Sequence, residues 1–387
     1  MTRPRRILAA LVAAAGLLTL PLVPAGAHAV TTAVSHIRAG VGMADATWAV
    51  GAAAGQYAAD RQPQDEVTGD VDPNSYAVTK AKGYGVESRL SIRAIVVEGN
   101  NGQRVALVKA DNYLAQDMLV RRAAQLLPAT AGVAYDHILL HVTHDHSSPY
   151  NLTPSAGVML FQDAFDLRMF EYEARAMARA ITDAAAHLKR ARMGATTVPF
   201  STFKGNIVGP QVADDGTPAG YPSDFGDHKV TVMRFDDVSG ATPKPLATWM
   251  NWGEHPESLD GYGLTTADYI GPLQRFVERA TGAPLVFSQG DVGSSEGPYL
   301  RGQPEQLPDG TYRAWAHVGY AQMERGAKLL ADAVVTGWKA IGAGAAGVAV
   351  PFSSDFPVLA FTRWTPGPVS HPYPSLSNCR TASTVDG

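Results

Sequence analysis

The 387-residue sequence predicts an α/β fold, a mixed β-sheet with flanking helices in one large domain. Three observations predict it. Runs of β-rich residues alternate with runs of helical period along the chain, and no internal repeat interrupts them. The composition, 45% hydrophobic and 18% charged, is that of a chain able to bury a sizeable core.

The first segment stands apart from that domain. Arg3, Arg5 and Arg6 precede an apolar run over 7–22, and small residues follow at Ala25-Gly26-Ala27 and Ala27-His28-Ala29. Basic, then apolar, then small is the order of a secretory signal peptide, assigned to residues 1–29. The apolar run is short for a span of roughly 20 residues, and two cleavage sites follow it, which disfavours a membrane anchor. The pair Arg5-Arg6 keeps twin-arginine export open beside the Sec route. The expected location is extracellular. Cys379 is the one cysteine, so no disulfide closes within the chain and packing must supply the stability. The net charge of -4 comes from 32 basic and 36 acidic residues without a block of either sign, which excludes nucleic acid as a partner.

Residues 30–387 form the predicted domain. Gly40-Val41-Gly42-Met43-Ala44-Asp45-Ala46-Thr47 reads as a strand running into a loop, and 61–74 as a polar exposed stretch. Residues 92–98 and 104–109 are β-rich and flank Gly99-Asn100-Asn101-Gly102, strong hairpin-turn chemistry. A short helix is expected over 117–127 and an apolar strand over 136–142. Phe170, Ala174, Met177, Ile181, Ala185 and Leu188 recur at helical spacing, with Glu171, Arg175, Arg179 and Lys189 on other faces. A second strand pair covers 229–235 and 246–252, a helix 270–281, a buried strand 285–288 and a further helix 314–341.

Chemistry concentrates at strand ends, where a rigid sheet holds loops that carry functional groups. Thr143-His144-Asp145-His146 follows the 136–142 strand, and Glu254-His255-Pro256 follows 246–252. Histidine is the commonest zinc ligand, and a catalytic zinc takes three protein ligands plus a water. In extended backbone His144 and His146 would point to the same side. A lone His-x-His is by itself a weak motif. His141 lies on the strand and reads as a packed histidine, whereas His137, His187 and His228 read as solvated. Ser147 and Ser148 could reach substrate or could satisfy loop backbone. The stretch 289–295, Gln289-Gly290-Asp291-Val292-Gly293-Ser294-Ser295, reads either as a wall of the site with oxyanion donors or as an ordinary loop. A triad of Ser294 or Ser295 with His255 and Asp291 is conceivable, without a nucleophile-elbow pattern to support it.

Several segments resemble, in order, the neutral ceramidases, non-lysosomal amidases of the N-acyl bond of ceramide. Gly40 to Thr47 is similar to the family's Gly-x-Gly-x-x-Asp-x-Thr, and the stretch from Gly85 to Val97 to its Gly-x-x-x-Arg-Leu-x-x-Arg-Ala. Thr143-His144-Asp145-His146-Ser147-Ser148-Pro149 resembles Thr-His-Thr-His-Ser-Gly-Pro. Asn251 to Ser258 resembles the Asn-Trp/Phe and His-Pro-Thr-Ser block, and Gly290-Asp291-Val292 the Gly-Asp-Val-Ser-Pro loop. The resemblance implies one zinc ion held by His144 and His255, with His146 on the substrate. It implies Asp291 and Ser294 as further catalytic residues, Asn206 and Ser295 as substrate contacts, and a ceramide-like or other N-acyl lipid as partner at a membrane surface.

Departures from the pattern accompany it. Gly293 replaces the family serine, and Asn206-Ile207-Val208-Gly209 stands where the family has Asn-Arg-Ser-Pro, which removes a charge-assisted donor. The family's remaining zinc ligands, a glutamate and a tyrosine, are expected beyond Gly387, so the sequence reads as a truncated amino-terminal catalytic domain. The alternatives are a non-catalytic lipid- or partner-binding relative and a serine hydrolase using Ser294 or Ser295.

Overall fold

The computed structural model describes residues 37–55, 58, 76–99, 101–149, 163–200, 229–259, 263–290, 292, 305–306, 312–313 and 320–344. In chain order its strands are β1 (Ile37–Asp45), β2 (Gly85–Val86), β3 (Ser91–Glu98), β4 (Arg104–Ala110), β5 (Ile138–Val142), β6 (Lys189–Pro199), β7 (Lys229–Asp237), β8 (Lys244–Trp252), β9 (Leu264–Thr265), β10 (Leu285–Gln289), β11 (Glu305–Gln306) and β12 (Tyr312–Arg313). The helices are α1 (Asp117–Leu126), α2 (Leu167–Ala186), α3 (Ile270–Thr281) and α4 (Tyr320–Gly344).

An eight-stranded mixed sheet runs β10-β8-β7-β6-β1-β3-β4-β5, parallel at its two outer pairs and antiparallel between. The alternation of apolar residues shows how the sheet is used. Ile92, Ala94 and Val96 of β3 face the core under α1 and α2, whereas Ile95 and Val97 face a second core with Phe235, Ala247 and Val286. Strands buried on both faces require cover on both faces. The far half of the sheet has its own outer cover, where Val230, Val232, Met250 and Phe287 pack beneath α3 and α4. The second core therefore lies between the two halves of a sheet folded over on itself. Among the described residues its halves join at β1 and β6 through the pairs Ile37↔Ala191, Arg38↔Arg190 and Ala39↔Lys189. The fold brings the edge strands β5 and β10 together, where His141 Nδ1 and Ser288 Oγ hydrogen-bond at 2.8 Å.

Gly40 and Gly42 of β1 allow α2 to lie against the strand backbone. A Cβ at Gly40 would stand 2.1 Å from the carbonyl oxygen of Ala184, and one at Gly42 would stand 2.2 Å from that of Ala180. The Gly-x-Gly of this strand is thus a packing device, and the alanines of α2 are its counterpart.

The expected hairpin is present, registered from Ile92↔Ala110 to Glu98↔Arg104. The strand expected over 136–142 is shorter, because Tyr135–His137 form a 3-10 turn and pairing with β4 begins at Ile138. Helix α2 ends at Ala186, so Leu188 lies beyond it and Lys189 opens β6 rather than occupying a helix face. Strand β6 escapes periodicity because of Arg190, Arg192 and small residues, and apart from Ala191 its positions are half-buried or exposed. Charge pairing supports it instead: Arg192 bonds Asp236 of β7 at 3.0 Å.

Candidate metal centre

Strand β5 ends at Val142, and the buried Thr143 continues its pairing, with N–H donating to the carbonyl of Ala110 at 2.9 Å. The next residue, His144, has φ 64, a left-handed conformation uncommon outside glycine. His144 and His146 therefore converge through a turn. Side-chain alternation along extended backbone, the geometry expected from the sequence, does not apply. Asp145 lies at the centre of that turn with no exposure. Its Oδ1 accepts the N–H of Ser147 at 2.9 Å, and its own N–H donates to the carbonyl of Asn112 at 3.2 Å. Burial, followed by the nearby carboxylates of Asp268 and Asp111, raises its pKa well above the carboxylate range.

The second loop leaves β8 and carries His255, Pro256 and Glu257. Gln289, at the end of β10, ties the two loops together. Its Nε2 donates to the carbonyl of Thr143 at 2.7 Å and to that of Glu254 at 2.9 Å, while its Oε1 accepts the N–H of Glu254 at 3.2 Å. Tyr269, buried under α3, donates its hydroxyl to the same Glu254 carbonyl at 3.0 Å. From the other side Gly55, at φ 86, lies against the loop so closely that a Cβ there would stand 1.9 Å from the carbonyl oxygen of His146.

His144, His146 and His255 bring their donor nitrogens within 4.8 Å of one another. Ring centroids are 5.0 Å apart for His144 and His146, 4.9 Å for His144 and His255, and 5.2 Å for His146 and His255. The donor set suits a divalent transition metal: with Zn–N bonds near 2.0 Å, nitrogens sharing a tetrahedral ion lie on the order of 3.3 Å apart, a small ring adjustment away. His144 also has the required protonation state. Burial first, then the neighbouring His146 and His255, lower its pKa to about 4, which leaves a neutral imidazole. Its Nδ1 is held at 2.8 Å by the carbonyl of Tyr113, whose ring lies 4.6 Å away, so Nε2 is the nitrogen left to offer. His146 Nδ1 lies 2.9 Å from Glu257 Oε1, with both side chains buried, and the Tyr113 ring stands edge-on to His146.

All three histidines singled out in the sequence thus meet, whereas Asn206, Asp291, Ser294 and Ser295 lie outside the described residues, as does His228. His141 packs on Trp249 and bonds Ser288. His187 is exposed, but His137 is half-buried with Nδ1 held by the carbonyl of Arg104 at 2.9 Å, a correction to its expected solvation. Ser147 and Ser148 are buried, and Ser148 Oγ donates to the carbonyl of Asp145 at 3.1 Å, so it serves the loop. Glu257 and Tyr113 are not apparent in the sequence reading. An acidic residue two positions past a candidate ligand was the available signal for Glu257.

The model of the neutral/alkaline non-lysosomal ceramidase N-terminal region matches residues 64–288. A neutral ceramidase of Drosophila pseudoobscura pseudoobscura is 27% identical over 254 residues, 62% of this chain and 33% of that protein. The neutral ceramidase of Drosophila melanogaster is 35% identical over 89 residues, 22% of this chain and 13% of that protein. Among solved structures, a ceramidase complexed with C2 superposes with a TM-score of 0.55 at 19% identity, covering 78% of this chain and 44% of that one. Neutral ceramidase from Pseudomonas aeruginosa gives a TM-score of 0.54 at 19% identity, with the same coverage of 78% and 44%. At that identity the structures bear on the fold, which they share: a mixed sheet with flanking helices. The chain spans less than half the length of each of these relatives. Because the matched region covers more than half of its 387 residues, the chain belongs to the neutral/alkaline non-lysosomal ceramidase family, in the family's N-terminal part.

Proposed function

We propose that this chain acts as a zinc-dependent amidase on the N-acyl bond of ceramide or a related N-acyl lipid, and that it is exported behind residues 1–29. The observation that carries the proposal is the meeting of three imidazole donors from two loops within 4.8 Å. His144 and His255 would hold the ion, and His146, the third member of the cluster, would contact the substrate. When bound, zinc supplies a Lewis acid for the amide carbonyl and a water acidic enough to attack near neutral pH.

The protein's own groups supply positioning. Gln289 fixes the spacing of the loops, Asp145 holds the turn, and Tyr113 fixes the ring of His144. A lipid substrate accords with the exposed apolar residues Val50, Val78, Tyr84 and Val86. Their segment adjoins the metal loop: Gly83 N–H bonds the Ala52 carbonyl at 2.7 Å, β2 pairs with β9, and Thr266 N–H bonds the Ser147 carbonyl at 3.3 Å. Exposed apolar side chains beside a site suit contact with acyl chains at a membrane surface.

Two measurements test the reading. Metal content and hydrolysis of a short-chain fluorescent ceramide are compared in the wild type and in His144→Ala and His255→Ala. Loss of zinc and turnover together supports zinc amidase chemistry; turnover insensitive to chelation but blocked by a serine-directed inhibitor replaces it with the serine hydrolase. Amino-terminal sequencing of protein recovered from the medium tests export, and retention of residues 1–29 in the recovered protein would contradict it.

A further inference from the structure

The buried face of α2 is built from Met169, Phe170, Met177, Ile181 and alanines, with one ionisable group among them, Glu173, 4% exposed. An acid in apolar surroundings is costly unless a hydrogen bond offsets the cost. Its Oε2 accepts from Nδ2 of Asn112 at 2.7 Å, and Asn112 is itself 3% exposed. The helix thereby grips the chain just beyond the end of β4, at Asp111, Asn112 and Tyr113. That segment bears on the metal centre from a third side. The Asn112 carbonyl accepts the N–H of Asp145, the residue between His144 and His146, at 3.2 Å. The Tyr113 carbonyl holds His144 Nδ1 at 2.8 Å, and the Tyr113 ring lies 4.6 Å from the rings of both His144 and His146. One residue earlier, Asp111 accepts the N–H of Ser91 at 2.8 Å and pairs with Lys109. Asp111 therefore anchors the segment to the sheet, and Asn112 anchors it to the helix.

We propose that Glu173 and Asn112 are positioning residues for the metal centre: the bond between their side chains fixes the peptide planes that hold His144 and the turn at Asp145 in metal-binding geometry. The inference rests on the metal reading of the three histidines. Neither residue belongs to that cluster, so both act through the backbone of 112–113. With the helix anchor removed, the segment is fixed to the sheet at Asp111 alone, and the carbonyls that follow are free to turn. A ligand imidazole whose backbone acceptor wanders must be ordered again each time metal binds, and loss of such orienting groups costs about 10- to 100-fold in affinity.

Zinc dissociation constants of the full chain, read by competition with a chromophoric chelator, test the proposal with metal alone and no turnover required. Glu173→Met keeps the volume but strands Asn112 Nδ2, and should raise the constant at least about tenfold. Burial raises the Glu173 carboxyl to about 8, so near neutral pH it is an uncharged acceptor that an amide oxygen reproduces. Glu173→Gln should therefore stay within about twofold of the wild type. Asn112→Leu should weaken zinc as Glu173→Met does, and the double variant should be no weaker than Asn112→Leu, because both changes remove one link. Ile181→Val, buried on the same helix, should lower stability in urea and leave the zinc constant unchanged. Cobalt(II) spectra read the geometry directly, with visible bands shifted in Glu173→Met and unshifted in Glu173→Gln. Equal zinc affinity in the wild type and Glu173→Met overturns the proposal. So do additive losses in the double variant, or a loss shared by Ile181→Val, which marks the effect as one of stability. A wild type that binds no zinc overturns the metal reading and this inference with it, an outcome separate from a zinc-loaded wild type indifferent to position 173.

Discussion

Gln289→Ala removes the tie between the two histidine loops, and the structure sets the size of the effect. The side chain donates to the carbonyls of Thr143 and Glu254 and accepts from the N–H of Glu254. The Glu254 carbonyl keeps the Tyr269 hydroxyl at 3.0 Å, so truncation strands chiefly the Thr143 carbonyl and the Glu254 N–H. A buried polar group left unsatisfied costs about 1–3 kcal/mol. Water can reach part of the site, since Gln289 is half-buried, so about 2–3 kcal/mol is expected in total. Urea denaturation followed by circular dichroism measures this. The zinc dissociation constant of the same variant should rise at least about tenfold, the usual cost of losing groups that orient ligands. Gln289→Glu should be equally damaging near pH 8, because a carboxylate cannot donate to two carbonyl oxygens. A stability change below about 0.5 kcal/mol together with unchanged zinc affinity would refute the reasoning, since surface substitutions give changes of that size.

The remaining predictions concern the scaffold. Gly42→Ala drives a methyl into the Ala180 carbonyl and should destabilise by about 1–3 kcal/mol in urea, with zinc still bound by the folded fraction. Burial raises the carboxyl of Glu173 to about 8, where it lies 2.7 Å from Asn112 Nδ2. The folded state then holds a proton that the unfolded state releases, so stability is full below about pH 4.5 and declines as pH rises toward about 8. The slope from this group is at most about 1.4 kcal/mol per pH unit, and Glu173→Gln should flatten it; an identical profile in the variant would contradict the assignment. Lys109 and Asp111 pair with no exposure of either side chain. Lys109→Met leaves that acid buried without its cation, held by the Ser91 N–H at 2.8 Å and hydroxyl at 3.3 Å, and should cost about 3–5 kcal/mol in the same urea assay.

The legibility of this chain in its sequence follows from how local each signal is. The hairpin of β3 and β4 was legible because turn chemistry and strand propensity lie within one stretch. Strand β6 was not, because its Arg192 is answered by Asp236 on a neighbour 44 residues away. His144, His146 and His255 stood out as residue types at strand ends, yet their convergence depends on a left-handed turn at His144 and on a sheet folded over until β5 meets β10. Neither feature leaves a periodic trace. Glu257 was hidden for a related reason: an acid beside a proline reads as surface until the fold encloses it with His146. Gln289 was visible only as the start of a glycine-bearing loop, because its partners are backbone carbonyls that carry no residue signature.

The most direct test is zinc per chain alongside amide hydrolysis, measured on the wild-type protein and on His144→Ala. One zinc per wild-type chain, turnover lost on chelation and restored by zinc, and loss of both metal and turnover in His144→Ala are predicted. Equal zinc content and equal hydrolysis in the two proteins would contradict the account.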